Sequence, residues 1–291
     1  MRRRIPAIIA LAALGAIVAG LYFAAGSWSG LDRLRTDYLG HYHLNRAFTM
    51  AHSEPLDRIA AFEHLKRSRE LAPDSPMLRA AAPQILMSIG QWRLAAQELV
   101  RQPAADPYML GTCLVKIGQT AKGAALLKAA LQTTEDLHRR RTISEQAFAM
   151  QLNNVGYVLA DAGVDLREAR AMLETAATIL PLDSNVIDSL GWVHYRLGNY
   201  HEAIFYLERA MRQHTGMGRA EVYYHLGAAY ARTGRMARAN RFLRSALRLD
   251  PGHPEARAEM ERLRWLLPPA NTAGATPRRN DSGRSEWSNL T

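Results

Sequence analysis

The sequence predicts an all-α chain of stacked helix pairs, and three observations carry that prediction. First, three segments superimpose: residues 152–159 read LNNVGYVL, 187–194 read IDSLGWVH and 223–230 read YYHLGAAY. Their central glycines, Gly156, Gly191 and Gly227, are spaced by 35 and 36 residues, a period that marks a stacked-repeat architecture. Second, small residues recur downstream in step, at Ala169, Ala203 and Ala239 and again at Ala176, Ala210 and Ala246, with Leu173, Leu207 and Leu243 between them. Third, breakers fall between the helical stretches: Gly163, Gly198 and Gly234 suit a left-handed helix end, and Pro181 and Pro251 end the second helix of two units.

The small residues have a packing reason. A glycine or alanine where two helices cross lets the backbones approach, and a larger side chain there costs about 1–3 kcal/mol through overpacking. Weaker copies of the pattern extend upstream. Gly111, Leu114, Gly118, Leu127 and Ala130 fit one unit, and Leu86, Gly90, Trp92, Ala95 and Leu99 fit another with a shortened second helix. A degenerate unit follows Tyr38, with Ala61, Leu65 and Leu71 on its second helix. Residues 133–144, with three arginines at 139–141, read as a longer loop or an extended helix end, and the arginines as a solvated face.

This pattern resembles the tetratricopeptide repeat, a 34-residue helix-turn-helix unit. The resemblance implies a right-handed α-solenoid over residues 36–267. Its repeats fall at about 38–73, 76–103, 104–137, 149–182, 184–217 and 220–253, and a capping helix at 254–267 covers the last apolar face. Two departures, an extra residue after Gly163 and about two near Gly216 and Gly218, fall in turns, where insertions are tolerated.

At the N-terminus, residues 5–25 form a run of 21 without a charge. As a helix the run spans roughly 31 Å, the thickness of a hydrocarbon core. Residues 1–28 therefore read as a single transmembrane anchor. Arg2, Arg3 and Arg4 precede the run, while Asp32, Arg33, Arg35 and Asp37 after it nearly cancel. The positive-inside rule then leaves Met1 in the cytoplasm and the repeats outside it; the resemblance implies the inner membrane of a bacterial envelope. Small residues at Ala24, Ala25 and Gly26 keep open the alternative of export after signal cleavage. Residues 268–291 are rich in Pro, Asn, Thr, Gly, Ser and Arg and read as a disordered tail.

Composition excludes several function classes. A single cysteine, Cys113, rules out an internal disulfide framework and a Cys-pair zinc site. The net charge of +10 is spread along the chain rather than gathered on a face with stacking aromatics, so nucleic acid is not an expected partner. Phosphate-loop, metalloprotease and nucleophile-elbow motifs are missing, and His41 and His43, two apart, face different sides of a helix. Asp161 and Asp165 flank a turn and read as helix caps. The expectation is a non-enzyme with no metal, cofactor or small-molecule substrate.

What remains is surface. In the tetratricopeptide fold the first helices of the units line a concave groove. Carried onto this chain, the groove positions are Tyr108, Thr112 and Lys116; Asn153, Asn154 and Tyr157; Asn185, Asp188, Trp192, Tyr195 and Arg196; and Glu221, Tyr224, His225 and Arg232. Tyr, Trp and Arg are the residue types enriched at binding hot spots, and amides can clamp an extended peptide backbone. The same aromatics serve packing between repeats equally well. A two-carboxylate chaperone clamp is not matched, because Asn154 fits one of its positions but Tyr108, Asp188 and Ser189 occupy others. The outer stripe of Arg238, Arg241, Arg244 and Arg248 reads as solvated, with anionic lipid or an acidic partner as alternatives.

The resemblance thus implies a membrane-tethered, extracytoplasmic scaffold for protein or peptide partners. Bacterial proteins of this layout are similar to helpers of pilus assembly, secretion, translocation or cytochrome c maturation. A polysaccharide-export or cell-wall role is the alternative.

Overall fold

The computed structural model describes residues 29–266 except residue 54 and residues 214–217. The apolar run of residues 5–25 and the tail from 268 lie outside the described residues. Among those described, no helix is long and apolar enough to cross a membrane.

Thirteen helices and no strand make up the described chain: α1 (Ser29–Ala51), α2 (Arg58–Leu71), α3 (Pro76–Ser88), α4 (Trp92–Val100), α5 (Pro107–Lys116), α6 (Thr120–Arg139), α7 (Glu145–Ala162), α8 (Leu166–Ile179), α9 (Ser184–Arg196), α10 (Tyr200–Gln213), α11 (Arg219–Arg232), α12 (Met236–Leu249) and α13 (Pro254–Leu266). They pack as antiparallel pairs, α1 on α2 through α11 on α12. Each pair rests on the next, and α7, α9 and α11 follow one another along the inner side. Three hydrophobic clusters run in series through the stack, centred on Leu65 and Ile85, on Leu159 and Leu173, and on Leu226 and Leu243.

Local chemistry explains the helix limits. Asp57, Ser75, Asp106, Ser144 and Asp183 each accept a hydrogen bond from a backbone N–H of the helix they precede, satisfying donors that have no partner within the helix. Pro76 and Pro107 then occupy first-turn positions, where a missing N–H costs nothing. Gly163 ends α7 with φ at 73°, and Gly198 and Gly234 turn at 85° and 74°. At the helix crossings the contacts are tight. A Cβ on Gly191 would lie 2.7 Å from Leu207 Cγ, and one on Gly227 the same distance from Leu243 Cγ. Gly156 meets Leu173 in the same way, and Gly111 faces the backbone of Gly123. The alanines of the second helices, Ala169, Ala203 and Ala239 with Ala176, Ala210 and Ala246, are fully buried.

Two features go beyond the repeat pattern. Helix α1 already includes Ser29, the first described residue, so it extends upstream of Tyr38. Helix α6 carries residues 133–139 as an extension of its C-terminal end, and Arg141, at φ 56°, makes the turn into α7.

The stack also curls until its two ends touch. Leu56 N–H donates to the Leu249 carbonyl at 2.8 Å. Arg58 pairs with Asp250 through two hydrogen bonds, Nη2 to Oδ2 at 2.5 Å and Nε to Oδ1 at 3.2 Å. Asp250 is buried, and its Oδ1 also accepts the Gly252 N–H. A solenoid whose first and last units meet encloses its concave side.

Candidate partner-binding groove

The first helices of the last three complete units project their side chains toward one another across this inner side. Two polar clusters result. In the first, the Asp161 carboxylate at the end of α7 takes Lys116 Nζ at 2.6 Å and the Trp192 indole N–H at 3.2 Å. Arg196 donates to the Asp161 backbone carbonyl. Burial works against the Lys116 ammonium, but the charge and hydrogen bond of Asp161 outweigh it, so the pKa of Lys116 is raised. Asp161 is therefore a hub joining α5, α7 and α9, not the helix cap expected from its place beside a turn. Asp165, at φ 46°, starts α8 without capping it through its side chain and pairs with Lys128 instead.

The second cluster is built on His225, fully buried in α11. Its Nδ1 lies 2.9 Å from Asp188 Oδ2 on α9. Its Nε2 lies 3.4 Å from Glu221 Oε1, within ion-pair range but outside hydrogen-bond geometry. Glu221 also takes the Tyr157 hydroxyl at 3.0 Å and His253 Nε2 at 3.0 Å, and His253 Nδ1 meets Glu255 at 3.2 Å. Desolvation disfavours both imidazolium ions. The surrounding carboxylates outweigh it, pushing His225 up to about 10 and His253 up to about 9. Desolvation likewise opposes the Glu221 carboxylate, yet the two histidines hold it well below the usual range. Burial raises the Tyr157 phenol well above its ordinary value, and that of Tyr224 as well.

Aromatic rings fill the space between the clusters. Trp192 lies between Tyr195, at 4.6 Å and 7°, and His225, at 4.1 Å and 17°. Tyr224 leans on His253 at 4.9 Å, and Arg232 Nε donates to the Tyr195 hydroxyl at 3.2 Å.

The groove residues named from the sequence thus divide by depth. Trp192, at 2% exposure, Asp188, Asn153 and His225 are buried and hold the helices together. Tyr108, Lys116, Asn154, Tyr157, Tyr195, Arg196 and Tyr224 are half-buried, while Asn185 and Arg232 are exposed. Asn153 Nδ2 reaches Asn154 Oδ1 at 3.5 Å, but its own carbonyl oxygen is buried without a partner. Sequence reasoning missed Arg58, Asp250 and His253. Each stands in a loop or at a helix start where a turn residue is unremarkable, and no local signal announces that Arg58 and Asp250, 192 positions apart, are partners.

Between the closing contact and the clusters lies a cavity of about 500 Å³, lined by Arg58, Trp92, Lys116, Glu221, His253 and Glu255 among others. It joins the two ends of the chain to the inner network. Among the described residues no group of three His, Cys, Asp or Glu side chains is arranged to hold a metal ion.

Comparison with known proteins gives the following. Residues 189–254 match the model of the tetratricopeptide repeat. A TPR repeat-containing protein of Pseudomonas aeruginosa is 39% identical over 79 residues, which is 27% of this chain and 13% of that relative's length. Among solved structures, MamA AMB-1 is 21% identical with a TM-score of 0.40, covering 59% of this chain and 96% of its own. MamA 41-end from Desulfovibrio magneticus RS-1 is 18% identical with a TM-score of 0.38, covering 60% and 95%. The APC/C hetero-tetramer Cut9–Hcn1 is 16% identical with a TM-score of 0.46, covering 71% and 39%. The stretch that matches the tetratricopeptide repeat is thus residues 189–254, from within α9 to the start of α13.

Proposed function

We propose that this protein is a membrane-tethered scaffold on the extracytoplasmic side, holding a segment of a partner protein at the inner groove during assembly of an envelope complex. The observation that carries the reading is the division of the groove by depth. Buried Asp188, Trp192 and His225, with half-buried Asp161, hold α7, α9 and α11 in place. Above them Asn185, Tyr195, Tyr224 and Arg232 stand at the rim. A rim preorganised in this way loses little side-chain freedom on binding, which favours affinity. The tether rests on the uncharged run at residues 5–25 and the three arginines before it.

Two experiments test the reading. Affinity capture from detergent-solubilised membranes compares the full chain with an Asn185→Ala, Tyr195→Ala, Arg232→Ala variant. Asn185 and Arg232 are exposed and Tyr195 is half-buried against Trp192; the variant should keep the parent's circular dichroism yet lose its captured proteins, and an unchanged set would sink the groove assignment. A reporter fused after residue 30 should be active only outside the cytoplasm, and activity inside would reverse the topology.

A further inference from the structure

The outer helices of the last three units differ in charge at equivalent positions. Aligning Ala169, Ala203 and Ala239 sets Glu168 of α8 and Glu202 of α10 against Arg238 of α12. The same alignment sets Glu174 and Glu208 against Arg244, and Ala171 and Phe205 against Arg241. Helix α12 contains no Asp or Glu, and Arg238, Arg241, Arg244 and Arg248 are all exposed on it. Among the described residues none of the four has a carboxylate partner. Arg238 donates to the Tyr230 hydroxyl at 3.2 Å, Arg248 to Ser245 Oγ at 2.8 Å, and Arg241 and Arg244 to nothing. Arg244 and Arg248, four apart, repel by about 0.2–0.5 kcal/mol, and no contact within the described residues accounts for Arg241 and Arg244.

Beside the row is a concavity of about 410 Å³ between α10 and α12. Its apolar lining is Met211, Tyr223 and Phe242, and Arg238 and Arg241 stand along its edge with Glu208. The apolar part is firmly held: Phe242 stacks on the buried Tyr230 ring at 5.6 Å and 4°, and the Arg238 guanidinium sits 5.4 Å from the centre of that ring. The equivalent hollow one unit earlier, about 280 Å³ between α8 and α10, includes Glu174, Tyr206 and Arg209 and has no arginine pair along its edge.

We propose that this outer hollow docks an acidic segment of a partner protein. An apolar or aromatic side chain of the segment rests on Tyr223 and Phe242, and flanking carboxylates meet Arg238, Arg241 and Arg244. A recessed apolar lining suits a single inserted side chain. A flat headgroup layer meets the row of arginines without reaching that lining, so a protein segment is favoured over lipid. This surface is on the opposite side of the solenoid from the inner groove, and its occupation does not depend on the groove's.

The test is fluorescence anisotropy on the full chain in detergent. One labelled synthetic peptide has alternating Glu and Asp around a central Phe, and a second has the Phe replaced by Gly. The Phe peptide should bind, weaken steeply with added salt, and bind about tenfold more weakly to Arg241→Glu, Arg244→Glu, with Arg93→Glu as a neutral control. An Arg241→Gln, Arg244→Gln variant repeats the measurement without adding negative charge, should the first variant melt early. The inner-groove triple variant should bind the peptide as the parent does, which separates failure here from failure of the scaffold reading. Equal binding by parent and arginine variants overturns the proposal. So does equal binding of the two peptides together with displacement by dihexanoyl phosphatidylglycerol, which would make the row a lipid contact.

Discussion

Arg58, near the start of the solenoid, grips Asp250 near its end, 192 positions along the chain. Together with the Leu56–Leu249 backbone bond this closes the stack and bounds the inner cavity. Arg58 is 27% exposed and Asp250 7%, so the pair is partly shielded from solvent.

Breaking that pair should both destabilise and loosen the protein. Arg58→Ala leaves the buried Asp250 carboxylate with only the Gly252 N–H, at a cost of about 1–3 kcal/mol. The ends should separate, raising the radius of gyration measured by small-angle scattering. An unchanged scattering profile would mean that closure rests on other contacts.

The alanine positions allow a direct comparison of inner and outer faces. Ala203 is fully buried against the adjoining helix, so Ala203→Leu should cost about 1–3 kcal/mol in thermal unfolding. Arg244→Leu, on the exposed face of α12, should stay within about 0.5 kcal/mol. Gly191→Ala should behave like the first, because its new Cβ would meet Leu207. Equal losses at Ala203 and Arg244 would contradict the packing described above.

Stability should fall on the alkaline side. His225 and His253 have folded pKa values of about 10 and about 9 against an ordinary 6.5. A raised pKa means that the charged form is stabilised by folding. That contribution is complete below 6.5 and is lost as pH rises through 9 and then 10. Urea unfolding of the parent and of His225→Gln, His253→Gln should therefore show a stability difference that shrinks from pH 6.5 to 10. A difference that is flat or grows over that range would refute the ionic assignment.

Cys113 offers a probe of opening. It is fully buried in α5, and burial pushes its thiol up to about 11. A maleimide or disulfide reagent at neutral pH should leave the folded protein unlabelled and react within minutes once urea unfolds it, because the thiolate is the reacting form. Rapid labelling of native protein would show that α5 opens readily.

The helical nature of this protein, the close crossings at Gly156, Gly191 and Gly227 and the turns at Gly163, Gly198 and Gly234 are legible in the sequence. Each depends on neighbours within one unit of about 35 residues, and a repeated unit states its own rules several times over. The degenerate first unit is less legible, since α1 carries exposed Leu34, Tyr38, Tyr42 and Phe48 where a repeat pattern would alternate. The groove shows the limit most clearly. Position within the repeat singles out Trp192 and His225, but not that they stack on each other and lie buried. Asp161 reads as a cap in sequence and is a three-way partner in space. Tertiary structure alone decided these points, together with the meeting of Arg58 and Asp250. The reason is geometric: small rotations between successive helix pairs add up along the chain, and only their sum determines which distant side chains meet.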